Sequence, residues 1–124
     1  MGNALHPNII WVDIKKEIEY AIINGTYKSA SKMPSISEVS DKYSCGKSTA
    51  QKVLEEMFND GIITKTKGVG YFVKPYAKDI LFEKYMNILQ SELNQSIQTS
   101  LLLGLKEEQL KNKINDIISE VYSR

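Results

Sequence analysis

The stretch PSISEVSDKYSCGKSTAQKVLEEMFND, residues 34–60, decides the fold. Ser35-Ile36-Ser37-Glu38 has the Ser-x-x-Glu spacing of a capping box, in which hydroxyl and carboxylate each satisfy an orphan backbone amide, so a helix starts at Ser35. Pro34 limits its backward extension. Apolar positions Ile36, Val39 and Tyr43 give it about two turns. Ser44-Cys45-Gly46 is a tight break of the length that joins the two helices of a helix-turn-helix. A further helix then runs from Lys47 to Asn59, with Ala50, Val53, Leu54, Met57 and Phe58 as its apolar stripe and Lys47, Ser48, Gln51, Lys52 and Glu55 on the opposite face. Asn59-Asp60-Gly61 ends it.

Upstream, Trp11, Ile14, Ile18, Ala21 and Ile22 recur at a spacing of three and four, which places a helix over Trp11 to Asn24 with Gly25 as its stop. Thr26 to Lys32 reads as a loop. Downstream, Ile62 to Lys67 and Tyr71 to Lys74 are rich in β-branched and aromatic residues and meet across Gly68-Val69-Gly70, the pattern of a β-hairpin. Pro75 closes the unit. Three helices followed at once by a hairpin is the element order of a winged helix-turn-helix, mostly α with a small β-hairpin, and the three amphipathic helices need one shared core. The expected organisation is a flexible N-terminal segment over residues 1–9, a winged helix-turn-helix domain over 10–75 and a two-helix dimerisation region over 76–124.

In that last region, Phe82, Met86, Leu89, Leu93, Ile97 and Leu101 mark one long helix, and Leu110, Ile114, Ile117, Ile118 and Val121 mark another. Leu105 and Leu110 fall where a hydrophobic staple would hold the second helix's start. Two antiparallel helices joined at Gly104 bury little alone, and a helix of about 26 residues reaches about 39 Å, longer than the winged unit covers. A stripe through Phe82, Met86, Leu89, Leu93, Ile97, Leu101, Ile114 and Ile118 therefore calls for an identical chain across a two-fold axis. The competing arrangement folds these helices back onto the winged unit of the same chain.

The 124 residues hold one ordinary domain and an appendage, and 42% hydrophobic with 25% charged residues is a globular composition. No apolar run reaches the ~18 residues of a bilayer span and no secretory leader precedes Trp11, so the expected location is the cytoplasm, with no membrane partner. The single cysteine, Cys45, reads as a small buried residue, without metal-ligand spacing around it. His6, the one histidine, lies in an unpatterned segment with no nucleophile or metal partner beside it. No cofactor, metal or catalytic group is expected, and the chain is not read as an enzyme.

Charge is more informative in its placement than in its sum of +1. Lys42, Lys47 and Lys52 fall in one acid-free stretch and Lys65, Lys67, Lys74 and Lys78 in another. Both map onto elements that meet duplex DNA in this architecture. In it the exposed N-terminal face of the third helix reads the major groove. Lys47, Ser48, Thr49, Gln51 and Lys52 occupy that place: lysine can donate to guanine, glutamine can pair bidentately with adenine, and hydroxyls serve bases or phosphates. Thr49, nearest the apolar stripe, reads equally as structural. Lys67, Gly68 and Gly70 supply a wing whose amides and charge can approach a phosphate or a minor groove.

Ile10-Trp11-Val12-Asp13-Ile14, Ile23-Asn24-Gly25, Met33-Pro34-Ser35, Gly46-Lys47-Ser48-Thr49-Ala50, Asp60-Gly61-Ile62-Ile63 and Lys67-Gly68-Val69-Gly70-Tyr71-Phe72-Val73 resemble, in order, the blocks of the GntR family DNA-binding domain. The two-helix tail is similar to that of the YtrA subfamily. The resemblance implies a homodimeric transcription regulator, frequently a repressor of its own operon and of neighbouring ABC transporter genes. Its partners would be double-stranded DNA, a second copy and an unidentified small-molecule effector. It also implies DNA contacts at Ser35, Ser37, Lys47, Ser48, Thr49, Gln51, Lys52, Lys67, Gly68 and Gly70. The sequence departs from the family where Ser37, Lys47, Gln51 and Val69 stand at positions usually held by arginine. Losing bidentate arginines shifts base preference, so a more A·T-tolerant operator is expected. The alternative from another class is a winged-helix adaptor that docks a protein and ignores DNA.

Overall fold

The computed structural model describes residues 7–124. In chain order these form α1 (Pro7–Ile23), α2 (Ile36–Lys42), α3 (Lys47–Asn59), β1 (Ile63–Thr66), β2 (Gly70–Val73), α4 (Ala77–Leu102) and α5 (Glu107–Tyr122). His6 and most of the expected N-terminal segment lie outside the described residues. Helix α1 begins at Pro7 rather than Trp11, and a proline in the first helical position is tolerated because no intrahelical partner awaits its missing N–H.

Helices α1 and α2 both pack on α3. Ile14, Ile18 and Ile22 of α1, Val39 of α2 and Ala50, Val53, Leu54 and Met57 of α3 form one core, closed by Ile63, Tyr71 and Val73 of the hairpin. Phe58, expected in the α3 stripe, is instead 47% exposed. It sits one step past Met57 around the helix, beyond the arc that α1 and α2 can cover. Leu54 is fully buried, so Leu54→Ala is expected to cost about 2–5 kcal/mol through lost burial and a residual cavity. Urea unfolding measures this, and a loss below about 1 kcal/mol, within the range of ordinary substitutions, would contradict the packing.

The hairpin strands pair antiparallel with Ile63 opposite Val73, Thr64 opposite Phe72, Lys65 opposite Tyr71 and Thr66 opposite Gly70. Period-two alternation turns Ile63, Tyr71 and Val73 toward the core and leaves Thr64, Thr66 and Phe72 on the other face. The segment expected as an open loop contributes to this sheet. The Ala30 amide donates to the Val73 carbonyl at 3.0 Å, the Val73 amide to Ser31 at 2.8 Å and the Met33 amide to Tyr71 at 2.7 Å. Lys32 is thereby bridged to Phe72, and the free edge of β2 is covered.

The compact winged unit runs on through Lys84 rather than stopping at Pro75, because Ala77 and Leu81 of α4 belong to its core. Glu19 is buried there. Lys84 Nζ lies 3.2 and 3.3 Å from its two carboxylate oxygens, and Lys15 Nζ is 3.7 Å away. Lys15 also meets Asp60 at 2.6 Å. Burial works against the charge of Lys15, but the hydrogen bond to Asp60 and the negative charges of Glu19, Asp60 and Glu56 outweigh it and raise its pKa above the ordinary 10.5. A raised lysine stabilises the fold below that value, and this contribution is lost as pH climbs through the folded value.

Tyr85–Arg124 forms a second unit. Gly104 ends α4, and the Lys106 amide donates to Gln109 Oε1 at 2.8 Å to start α5. Leu105 and Leu110, at the staple positions, are both half-buried. Beyond that the helices are bare. Helix α5 buries no residue, and past Lys84 the only buried residue of α4 is Ser100. Met86, Leu89, Leu93, Ile97, Leu101, Ile117 and Ile118 are exposed in the single chain, Leu101 by 70%.

Candidate nucleic-acid interface

Both halves of the capping box form: Glu38 N–H donates to Ser35 Oγ at 3.1 Å and Ser35 N–H donates to Glu38 Oε1 at 2.8 Å. Ser35 Oγ accepts from the Glu38 amide and its hydroxyl is also placed to hydrogen-bond the Glu38 carboxylate. The hydrogen bonds from Ser35 hold the Glu38 carboxyl below its ordinary value of 4.5. A depressed carboxylate stabilises the fold above that value and loses the contribution as pH falls through the folded one. Thermal melts should therefore show acid sensitivity below pH 4.5 that Glu38→Gln reduces. Ser35→Ala, which removes the cap, should cost about 1 kcal/mol. Equal acid sensitivity in wild type and Glu38→Gln would refute this assignment.

The turn between α2 and α3 is locked by a residue that the sequence reading passed over. Ser40 Oγ donates to the Cys45 carbonyl at 2.5 Å and the Cys45 amide donates to the Ser40 carbonyl at 3.1 Å. Ser44 takes a positive φ of 50° between them. Cys45 is half-buried against the core rather than enclosed, because its backbone is spent on this clamp at the surface. The only available signal was a serine five residues before Cys45, which is too common to single out.

Gly46 caps α3 without a side chain, leaving the first-turn amides of Lys47, Ser48 and Thr49 facing outward with the positive end of the helix dipole. Lys47, Ser48, Gln51 and Lys52 are exposed and Thr49 is half-buried. The face is open to a partner rather than sealed by the chain itself. Lys47 enters none of the ion pairs found among the described residues. Gln51 Nε2 rests on Glu55 at 3.1 Å, an exposed bond that a base edge can replace. Lys52 is committed differently: its ammonium pairs with Glu56 at 3.2 Å and lies 5.1 Å from the centre of the Trp11 ring. It faces the α1 flank, where it suits a phosphate better than a base.

At the hairpin tip, Val69 N–H closes on Thr66 C=O at 3.0 Å with Gly68 at φ 78°, the position a type II turn reserves for glycine. Gly70 takes φ 136°. Lys67, Gly68 and Val69 are exposed and Gly70 half-exposed. Ser37 is exposed on the first turn of α2. Nine of the ten residues singled out from the sequence thus stand on three features, the start of α2, the start of α3 and the hairpin tip, with Lys52 turned to the side.

Three helices with a locked α2–α3 turn, an open N-terminal face on the last of them and a projecting hairpin define a winged helix-turn-helix regulator. The chain belongs to the gntR family of bacterial regulatory proteins, whose family model matches residues 12–73. Over 112 residues it is 27% identical to the HTH-type transcriptional repressor YtrA of Bacillus subtilis, covering 90% of this chain and 86% of that one. Its fold matches a transcriptional regulator from Oenococcus oeni at a TM-score of 0.76 and 21% identity, covering 88% and 90% of the two chains. It also matches the AraR DNA-binding domain, solved in complex with operator ORX1, at a TM-score of 0.50 and 23% identity over 52% of this chain and 77% of that one. As a regulator of this family the chain is not an enzyme. No helix among the described residues is long and apolar enough to cross a membrane.

Proposed function

We propose that the protein is a cytoplasmic homodimeric repressor that binds a pseudo-palindromic operator, reading bases with Lys47, Ser48 and Gln51. Thr49, half-buried beside them, joins that face, Ser35, Ser37 and Lys52 meet phosphates, and Lys67, Gly68 and Gly70 anchor the wing. The observation that carries this reading is the open face of α3, which the rest of the winged unit leaves free while covering its opposite stripe. The AraR domain that shares this fold was solved on operator DNA, and the relative that spans most of the chain is a named repressor. Both support the reading.

The exposed apolar residues of α4 and α5 support dimerisation. Met86, Leu89, Leu93, Ile97, Leu101 and Ile118, with half-buried Ile114 and with Phe82 exposed at the α4 base, offer apolar area that a monomer does not leave to water. A two-fold dimer places two α3 helices on half-sites about 10 bp apart, or further if the dimer is wide. The similarity to YtrA-type regulators favours control of the protein's own operon with ABC transporter genes, and an effector would act by binding two arrangements of the dimer unequally.

Selection from randomised duplexes, followed by gel-shift titration, tests the reading. The expected result is enrichment of an inverted repeat with A·T-tolerant half-sites, bound with an affinity that falls steeply with salt. Failure to enrich any sequence, with a monomer in sedimentation, would overturn it and favour an adaptor role.

A further inference from the structure

Lys32 was not among the residues the sequence singled out, yet its surroundings place it between the start of α2 and the wing. It is bridged across the sheet to Phe72, and directly opposed residues of an antiparallel pair project from the same face. Phe72 is in turn opposite Thr64, and the next row toward the tip is Gly70 opposite Thr66. The outward face of the wing is therefore a three-stranded surface carrying Lys32, Phe72, Thr64 and Thr66, ending at the Lys67–Gly70 tip. The opposite face is spent on the core through Ile63, Tyr71 and Val73.

The lysine's stem runs along this surface toward the tip. A Cβ added at Gly70 would lie 3.2 Å from Lys32 Cε, tighter than most real contacts, so the bare glycine is what lets the stem pass. Gly70 thus has a second role beside its positive φ. Lys32 is also three residues before Ser35, the cap of α2, and its charge is felt by the Glu38 carboxylate, the one acid facing this corner from α2. The Lys32 side chain is exposed and forms no ion pair within 4.0 Å among the described residues.

We propose that Lys32, with Thr64 and Thr66 beside it, forms a backbone-contact surface on the outward face of the wing that neutralises a DNA phosphate between the one met at Ser35 and the one met at the wing tip. This rests on the DNA-binding reading above and adds a third strand to the wing's contact surface. It offsets cationic side chains this chain lacks at Ser37 and Val69. A contact to a phosphate positions the protein and carries no base information, so Lys32 should set affinity and leave sequence preference unchanged.

The test is a salt series of gel shifts on the duplex recovered by selection, comparing wild type, Lys32→Ala, Lys32→Arg and, as a control far along the chain, Lys113→Ala. Neutralising one phosphate contributes about 0.9 to the slope of log affinity against log salt. A two-fold operator meets two copies of Lys32, so Lys32→Ala should lower that slope by about two, weaken binding about a hundredfold at low salt and keep the same ranking of operator variants. Lys32→Arg should retain the slope. The Lys32 side chain makes none of the sheet hydrogen bonds, so its melting curve should match wild type; a merely structural lysine would move the melt and leave the slope alone. If wild type binds and Lys32→Ala keeps the full slope, or if Lys113→Ala lowers it equally, the proposal is overturned while the DNA-binding reading stands. If wild type binds no duplex, that reading fails first.

Discussion

Lys47→Ala combined with Gln51→Ala is expected to abolish discrimination between the selected operator and random duplex while preserving weak, salt-sensitive binding to both. The two side chains lie one turn apart on the open face of α3, with Lys47 in its first turn. Each good base contact is worth about 1–3 kcal/mol of discrimination. Losing two in each subunit should reduce affinity for an isolated half-site by about 2–6 kcal/mol, between roughly thirtyfold and about 25,000-fold at 1.36 kcal/mol per decade, and affinity for the full operator by more. Binding to random sequence draws on the remaining lysines and the helix amides, so it should lose no more than the share of one phosphate contact per subunit. Competition gel shifts separate the two quantities. A double variant that still prefers the operator by the wild-type factor would move base reading off this helix.

A comparable loss is expected from Leu93→Glu with Ile97→Glu, which touches no DNA. These residues lie four apart on α4, both exposed in the single chain, on the apolar stripe that needs a partner. Two carboxylates on each copy of a buried seam would face one another without counter-charges, a cost of several kcal/mol. The expected product is a folded monomer, because the winged core ends at Leu81 and includes neither residue. Operator affinity should fall by about 10²–10⁴, the usual gain from tethering two binding modules, while affinity for an isolated half-site stays put. Sedimentation equilibrium and half-site titration distinguish this from misfolding. A variant that remains dimeric would place the interface elsewhere.

Much of the winged unit was legible because its signals are local. The capping box at Ser35 and Glu38, the stripe through Val53, Leu54 and Met57 and the glycines at the hairpin tip each depend on neighbours within a few residues. What escaped notice depends on pairings distant in sequence. Lys32 reads as loop because its strand partner is Phe72, and a single bridged segment has no alternation of its own. The burial of Glu19 carries no local sign because nothing near it announces Lys84, 65 residues away. The boundary placed at Pro75 was misleading for a similar reason: proline marks where backbone geometry changes, whereas Ala77 and Leu81 are held by the core that precedes it. Phe58 was counted inward by periodicity alone, which cannot tell how wide an arc the neighbouring helices cover.

The Ser40–Cys45 clamp has an evolutionary consequence. The way α3 leaves the turn is held by one serine's hydroxyl and carbonyl, by the backbone of Cys45 and by the buried stripe of α3, with no contribution from the exposed Lys47, Ser48 or Gln51. Those three positions are free to drift, so operator preference can diverge between relatives by substitutions that leave the aim of the helix untouched. A swap of these side chains between two such proteins should transfer target choice without any accompanying repair of the scaffold.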